Sequence, residues 1–202
     1  MTLTTMLMAG GQSRRMGFDK ATLTINGEPL WQRQLRILSG LKPVNVCVSA
    51  RNSQAWCPPN LTVILDDPPS RGPLSGLVAG FARLQTSHLL ALAIDLPNIS
   101  TDHLRKLCGL ARPGWGVIPK NAQHFEPLCA IYAVEAAPMA REALACGDVA
   151  LQHLAETLIR HDRMEVYTIP DEERMLYHNL NRPCDLRQFP RADSGQMPPA
   201  SN

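Results

Sequence analysis

The segment Leu89-Leu90-Ala91-Leu92-Ala93-Ile94 is apolar at every position and is followed directly by Asp95. An uninterrupted apolar run of this length predicts a strand that is covered on both faces, as the central strands of parallel sheets are. Strand-like apolar segments and segments with a helical stripe alternate in the chain before it. They are Leu3–Met8, Pro29–Leu41, Val44–Ser49, Leu61–Leu65 and Leu74–Leu84. This order predicts an α/β fold in which helices cover both faces of a mostly parallel sheet.

The bulk properties of the chain favour a single globular domain. Its 202 residues fit one domain over residues 1–190, and the polar stretch 191–202 is predicted to be a disordered tail. The 20 basic and 18 acidic residues nearly balance, which argues against a nucleic-acid-binding protein. No apolar stretch reaches the length of about 18 residues that a membrane span needs, and the N-terminus lacks the basic region of a signal peptide. The six cysteines show no zinc-site spacing and are predicted to be buried, reduced thiols of a cytoplasmic protein.

The segment from Met8 to Lys20 predicts a phosphate-binding loop. Gly10 and Gly11 let the backbone approach a ligand closely, and consecutive N–H groups in such a turn form an anion-binding concavity. Arg15 and Lys20 add positive charge for a polyphosphate. The spacing matches neither the P-loop nor the dinucleotide fingerprint, which argues against a kinase or a dehydrogenase. Composition alone leaves a solvated basic turn equally open.

Three polar residues stand at predicted strand ends: Ser49, Asp66 and Asp95. The carboxyl ends of parallel strands meet at one edge of a sheet, where ligands bind, so these side chains are expected to converge. A carboxylate such as Asp95 is a preferred Mg²⁺ ligand, and Asn181 could add an amide oxygen. Taken singly, the aspartate and the asparagine are also common turn residues.

The residues 10–20 resemble the GG-x-S-x-R-M-G-x-D-K signature of the molybdenum cofactor guanylyltransferases, which are nucleotidyltransferases. Three further segments resemble motifs of the same family in the same order. These are Gly72–Gly76, Ile94–Pro97 with Ile94 in place of the usual cysteine, and Asn179–Leu186 with Arg182 and Cys184 as departures. The resemblance extends over residues 3–189, and four ordered motifs make chance agreement improbable.

The resemblance implies a three-layer, Rossmann-like nucleotidyltransferase fold and a magnesium-dependent transfer of GMP from GTP to the phosphate of molybdopterin, with release of pyrophosphate. It implies Lys20, Arg15 and Asp95 as catalytic residues, and Asp95 and Asn181 as Mg²⁺ ligands. The implied nucleotide contacts are Met8, Ala9, Gly10, Gly11, Lys20, Ser49, Asp66 and Asp95. Ser49 replaces the family's usual asparagine, and Asp67 is an alternative to Asp66. The implied partners are GTP, molybdopterin or the molybdenum cofactor, and proteins that mature molybdoenzymes.

Two alternatives to this function stay open at this level. One is a cytidylyltransferase that acts on the same pterin, and the other is a nucleotide-binding regulatory protein without turnover. Among the remaining polar residues, Glu126 begins either an element near the acceptor or an ordinary strand. The histidines His88, His103, His153 and His161 are predicted to be solvated or to cap helices, and Asp171–Glu173 to form a solvated turn.

Overall fold

The computed structural model of the protein describes residues 1–10, 20–52, 54–66, 70–180 and 185. The strands of this part are β1 (Leu3–Met8), β2 (Thr24–Ile25), β3 (Glu28–Pro29), β4 (Asn45–Ala50), β5 (Thr62–Leu65), β6 (His88–Ala93), β7 (Gly116–Lys120), β8 (Cys129–Ala133) and β9 (Met164–Thr168). The α-helices are α1 (Leu30–Ser39), α2 (Pro73–Ala82), α3 (Thr101–Leu110), α4 (Ala137–Ala145) and α5 (Leu151–Arg160). Each predicted strand and helix named above is present, with its bounds shifted by at most two residues.

Seven of the strands form one sheet in the order β5–β4–β1–β6–β8–β7–β9. Strand β8 runs antiparallel to both neighbours, whereas the other adjacent pairs are parallel. Strands β2 and β3 pair separately as a short antiparallel hairpin. The predicted mostly parallel sheet is therefore confirmed.

Helices pack on both faces of the sheet and bury two hydrophobic cores. Helices α1 and α3 cover one face, and α2, α4 and α5 cover the other. Alternate residues of β1 point to opposite cores: Leu3 and Leu7 join the first, and Met6 and Met8 join the second. Strand β6 is buried along its whole length, as the apolar run Leu89–Ile94 predicts. The three-layer α/β class is confirmed.

Helix α2 begins with the glycine-proline pair that the sequence places after β5. Gly72 has a φ of 87°, a left-handed conformation that favours glycine, and Pro73 occupies the first turn of the helix. Gly76, in the first part of this helix, lies beside Ser49 of β4 and Asp66 after β5. The start of α2 consequently lies against the edge of the sheet where the predicted site residues meet.

Two histidines and one glutamate are buried or paired where solvated positions were predicted, so those predictions are wrong. His88 is buried because β6 is covered on both faces, and its ring nitrogens contact Ser87 Oγ at 2.9 Å and the carbonyls of Arg112 and Trp115 at 3.2 Å. His103 is buried beneath the 3₁₀ segment Asp171–Tyr177 and lies 2.5 Å from the Tyr177 hydroxyl.

Glu173 is held by residues that are distant in sequence. Its carboxylate accepts hydrogen bonds from Lys106 Nζ at 2.8 Å and from the Tyr167 hydroxyl at 2.6 Å. Burial lowers the pKa of the neighbouring His103, although the Glu173 charge acts in the opposite direction. Because these contacts join α3 and β9, they fasten the 3₁₀ segment to the domain.

The remaining predictions about organisation have mixed outcomes. No helix within the described ranges is long and apolar enough to cross a membrane. The five cysteines of those ranges are free thiols. Cys47 and Cys129 are buried as predicted and Cys57 and Cys108 are half-buried, but Cys146 is exposed at the end of α4, so its predicted burial is wrong. The single domain over residues 1–190 stays a prediction, and the predicted tail 191–202 lies outside the described residues.

Candidate active site at the carboxyl edge of the sheet

A cavity of about 220 Å³ lies at the carboxyl ends of β1, β4, β5 and β6, and we call it the strand-edge cavity. Its walls are formed by Met8, Ala9, Gly10, Lys20, Ser49, Arg51, Asp66, Gly72, Pro73, Gly76, Ala93, Ile94, Asp95 and Leu128. This set includes every predicted site residue that the structure describes: Met8, Ala9, Gly10, Lys20, Ser49, Asp66 and Asp95. Residues that are far apart in sequence are thus brought into one wall.

Three predicted site residues lie outside the described part of the chain: Gly11, Arg15 and Asn181. The same holds for Asp67, the alternative to Asp66. Their roles stay predictions.

Backbone hydrogen bonds between strand ends fix the relative positions of the cavity residues. Ala9 N donates to Ser49 O at 2.9 Å, which joins the ends of β1 and β4. Asp66 N donates to Ala50 O at 3.2 Å, which joins the ends of β5 and β4. The cavity wall therefore continues the hydrogen-bond ladder of the sheet and has its rigidity.

Asp95 is positioned by contacts from two other parts of the chain. The buried side chain of Gln34, on α1, donates from Nε2 to Leu96 O at 2.7 Å and so fixes the turn that follows Asp95. Leu180 N donates to Asp95 O at 2.8 Å, so the segment before Asn181 is anchored to the same turn. Gln34 of helix α1 and Leu180 together hold this aspartate in the cavity wall.

The carboxylate of Asp95 forms an ion pair with Lys20. Lys20 Nζ donates to Asp95 Oδ2 at 3.0 Å, and the two side chains are 16% and 24% exposed. Both groups are therefore partly accessible from the cavity. The pair places a cation beside an anion. The Lys20 ammonium could bind a polyphosphate, and the Asp95 carboxylate could bind its counter-ion.

Asp66 carries an unused acceptor that faces the α2 side of the cavity. Its Oδ2 accepts a hydrogen bond from Ser70 Oγ at 2.6 Å, whereas its buried Oδ1 accepts none from the described residues. A Cβ built on Gly76 would lie 3.2 Å from this Oδ1 and 2.3 Å from Ser49 Oγ. Because Gly76 has no side chain, there is space beside Ser49 Oγ and Asp66 Oδ1. A methyl group at this position would already be too close to both atoms.

A second cavity, of about 760 Å³, adjoins the first on the side of β7 and β8, and we call it the outer cavity. Its walls come from loops and from the 3₁₀ segment: Asn121, Ala122, Gln123, His124, Glu126, Ile169, Arg174, Met175, Tyr177, His178, Asn179 and Asp185. Asn179 precedes Leu180, whose N–H binds the carbonyl of Asp95. Asp95, in the wall of the strand-edge cavity, is thus hydrogen-bonded to the residue that follows Asn179 in the wall of the outer cavity.

The pKa of Glu126, in the wall of the outer cavity, is affected by a charge in the wall of the strand-edge cavity. Burial raises the pKa of the Glu126 carboxyl, and the negative charge of Asp95 raises it further, against the lowering effects of His124 and Asn121. Its Oε1 accepts a hydrogen bond from Asn121 Nδ2 at 3.1 Å. Because the charge of Asp95 acts on Glu126, a residue of the strand-edge cavity influences a residue in the wall of the outer one.

Sequence reasoning did not identify Arg51 as a cavity residue. The residue follows β4 in a polar stretch, and its place in the cavity wall is seen only in the folded structure. Sequence reasoning also did not identify the outer cavity, because its walls are mostly loops, and loops show no periodic hydrophobic pattern. The described residues contain no group of three or more His, Cys, Asp or Glu arranged to hold a metal ion.

Comparison with solved structures defines the class of fold. A nucleotidyl transferase from Methanothermobacter superposes with a TM-score of 0.73 at 17% identity, covering 93% of this chain and 95% of that one. Molybdopterin-guanine dinucleotide biosynthesis protein A from Archaeoglobus fulgidus superposes with a TM-score of 0.72 at 24% identity, covering 92% and 95%. The protein has the nucleotidyltransferase fold.

Comparison of sequences defines the family. Residues 5–174 match the MobA-like NTP transferase domain. A probable molybdenum cofactor guanylyltransferase from Opitutus terrae is 36% identical over 182 residues, which cover 89% of this chain and 90% of that protein. A protein with the same name from a Nostoc species is 30% identical, covering 91% and 88%. The chain therefore belongs to the MobA-like NTP transferase family, as its sequence motifs predict, and is an enzyme of the nucleotidyltransferase class.

Proposed function

We propose that the protein transfers GMP from GTP to the phosphate of molybdopterin, or of the molybdenum cofactor, and releases pyrophosphate. The names of its relatives support the substrates. The observation that carries the proposal is that Asp95 lines the smaller of two cavities and is coupled to the wall of the larger one through Leu180 and Glu126. One cavity suits the nucleotide, and the other suits a bulky phosphorylated acceptor.

The strand-edge cavity has the groups that a nucleoside triphosphate requires. Gly10 opens the glycine-rich turn, and Lys20 supplies a cation for the phosphates. Ser49 and Asp66 belong to β4 and to the end of β5, across β1 from Asp95. They supply a hydroxyl and a carboxylate for the base or ribose. Guanine carries N1–H and N2–H donors, for which the unused Oδ1 of Asp66 is a suitable acceptor.

The outer cavity has the size and polarity for the pterin acceptor. Its volume of about 760 Å³ falls in the range of small-molecule sites, and its walls offer amides, imidazoles and the Arg174 guanidinium. An acceptor bound there would direct its phosphate toward Asp95 and the first cavity. The product would then pass to proteins that mature molybdoenzymes.

The reaction joins an oxygen of the acceptor phosphate to the α-phosphorus of GTP. As that bond forms, the bond from the α-phosphorus to the bridging oxygen breaks, and pyrophosphate leaves with the electron pair. Lys20 and the predicted Arg15 offset negative charge on the phosphates. Lys20 also holds the Asp95 carboxylate in place before substrates bind.

The residues present fit a Mg²⁺ ion. Mg²⁺ is usually held by one or two carboxylates together with substrate phosphates and water, and it does not need a cluster of protein ligands. Asp95 is a rigidly placed, partly exposed carboxylate of this kind, with Asn181 as the predicted second ligand. When bound, Mg²⁺ supplies neutralisation of charge on the attacking and leaving oxygens.

Pyrophosphate release by the purified protein tests the function. We expect release with GTP, Mg²⁺ and molybdopterin together, and none when molybdopterin is omitted or Mg²⁺ is chelated. GTP should be preferred over CTP and ATP, because a site that pairs buried polar groups discriminates strongly between bases. Better turnover with CTP than with GTP would indicate a cytidylyltransferase. Binding of GTP without turnover would favour a regulatory protein.

A further inference from the structure

Arg51 is a charged residue of the strand-edge cavity for which the transfer reaction described above has no use. It directly follows β4, is half-buried, and makes no hydrogen bond or ion pair within the ranges that the structure describes. Two carboxylates, Asp66 and Asp95, line the same cavity, yet neither forms an ion pair with Arg51. A guanidinium kept beside carboxylates without binding them is available for a ligand.

The register of the sheet places Arg51 beside Asp66. Ala50 of β4 pairs with Leu65 of β5, so Arg51 and Asp66 are the next residues on two adjacent strands, whose backbones lie about 5 Å apart. Ser49, the last residue but one of β4, lines the same cavity as Arg51 and Asp66. Arg51, Ser49 and Asp66 therefore form one polar wall.

This wall lies on the other side of β1 from the ion pair. The strand order is β5–β4–β1–β6, with Asp66 and Arg51 at the ends of β5 and β4, and Asp95 beyond the end of β6. The stem of Arg51 packs over Gly10, where a Cβ would lie 3.7 Å from Arg51 Cγ. If the phosphates bind near Lys20 and Asp95, the base of the nucleotide occupies the side that Arg51 lines.

We propose that Arg51 recognises the guanine base by donating hydrogen bonds to its O6 and N7 atoms, while Asp66 accepts from N1–H and N2–H. This inference rests on the proposed function. A guanidinium has only donors and matches the O6 and N7 acceptors in a bidentate geometry, whereas adenine presents an amino donor at the position of O6. A donor group next to an acceptor group on one wall is complementary to the adjacent edges of guanine.

The test is binding of GTP and of 7-deaza-GTP, in which N7 is replaced by a C–H group. Affinities are measured by calorimetry with Mg²⁺ for the wild type, Arg51→Ala and Arg51→Lys. The matched control is Arg160→Ala. Arg160 is exposed at the end of α5, shortly before β9 begins, and so lies at the amino edge of the sheet, opposite the cavity.

We expect the wild type to bind GTP about tenfold more tightly than 7-deaza-GTP, because one hydrogen bond to a charged donor is lost. Arg51→Ala should bind both nucleotides equally, with an affinity for GTP reduced by about 10–100-fold. Arg51→Lys should recover only part of the preference, since an ammonium lacks the planar fork. Arg160→Ala should behave as the wild type.

Two results would overturn the proposed contact of Arg51 with guanine and leave the proposed function unaffected. If Arg51→Ala weakened GTP and 7-deaza-GTP by the same factor, Arg51 would act on phosphates, and if it changed neither affinity, Arg51 would not contact the nucleotide. Absence of any GTP binding by the wild type would overturn the proposed function together with this inference. The two failures are thereby distinguished.

Discussion

Replacing Gly76 by alanine should damage nucleotide binding while leaving helix α2 intact. A Cβ at this position would lie 2.3 Å from Ser49 Oγ, 3.0 Å from Met8 Cε and 3.2 Å from Asp66 Oδ1. Ordinary contacts of a Cβ begin at 3.4 Å, so the first of these distances is 1.1 Å too short (3.4 Å less 2.3 Å). Either the Ser49 hydroxyl or the start of α2 must move by about that amount.

The backbone of Ser49 cannot supply this movement, because it is paired with Met8 on one side and with Ile64 on the other. The displacement therefore falls on the side chain of Ser49 and on α2, which both line the cavity. A misplacement of about 1 Å can cost on the order of 10² in rate. We expect the affinity for GTP to fall by about 10–100-fold and turnover to fall with it.

The folding stability of Gly76→Ala should change much less than its binding. Alanine in a helix gains about 0.5–1 kcal/mol over glycine, which offsets part of the cost of the contact. Gly109→Ala is the matched control: it lies in α3, and its Cβ would meet no atom within 4 Å. That variant should gain stability by about the same 0.5–1 kcal/mol and bind GTP as the wild type does.

Thermal unfolding and GTP calorimetry on both variants are the assay, and the double variant Ser49→Ala/Gly76→Ala adds a check. Removing the hydroxyl removes the 2.3 Å contact, so the double variant should unfold at a higher temperature than Gly76→Ala. Were Gly76→Ala to bind GTP normally and gain as much stability as Gly109→Ala, the space beside Gly76 would not be needed for nucleotide binding.

Three further variants test the roles of individual groups. Asp95→Asn should bind GTP without Mg²⁺ about as well as the wild type but lose turnover by about 10²–10³, measured as pyrophosphate release; a wild-type rate with unchanged Mg²⁺ dependence would remove Asp95 from the metal site. Lys20→Ala should weaken GTP binding and slow turnover, yet cost at most about 1 kcal/mol of stability, because the ion pair it breaks is partly exposed; normal affinity for GTP would exclude a phosphate contact. Glu126→Gln tests this half-buried carboxyl. Burial raises the Glu126 pKa above its ordinary 4.5, so the folded protein holds the proton more tightly than the unfolded chain does. The free energy of unfolding therefore falls as the pH rises from 4.5 through the raised pKa. Thermal unfolding between about pH 4 and pH 8 should show a flatter decline in the variant, and parallel curves would contradict this.

Most of the fold could be predicted because its strands and helices are marked by local composition. Apolar runs bounded by polar or glycine residues coincide with the observed strands, and Leu89–Ile94 coincides with the fully buried β6. The direction of β8 could not be predicted in this way. Its residues Cys129–Ala133 are buried on both faces like those of a parallel strand, and burial pattern carries no information on strand direction.

The prediction of a solvated turn at Asp171–Glu173 failed at Glu173 for a different reason, whereas Asp171 and Glu172 are exposed as predicted. Glu173 is paired with Lys106, which is 67 residues away, and the hydroxyl of Tyr167 completes the pairing. An acidic cluster indicates a solvated surface when only its neighbours in sequence are considered. A partner from another element reverses that conclusion, and no local pattern shows such a partner.

The candidate site has a part that local sequence patterns predict and a part that depends on contacts between distant residues. Apart from Lys20, its predicted residues in the described part of the chain lie within two positions of a strand end, as Ala9 follows β1, Asp66 follows β5 and Asp95 follows β6. Because the register of each strand fixes the residue after it, identifying the strands was enough to bring these groups to one edge. The outer cavity is built instead from loops and from the 3₁₀ segment, whose position depends on Lys106, Tyr167 and His103. The proposed acceptor side is thus determined by long-range contacts. For this reason the residues of the sequence indicated a nucleotide, whereas the pterin followed only from the resemblance to a family.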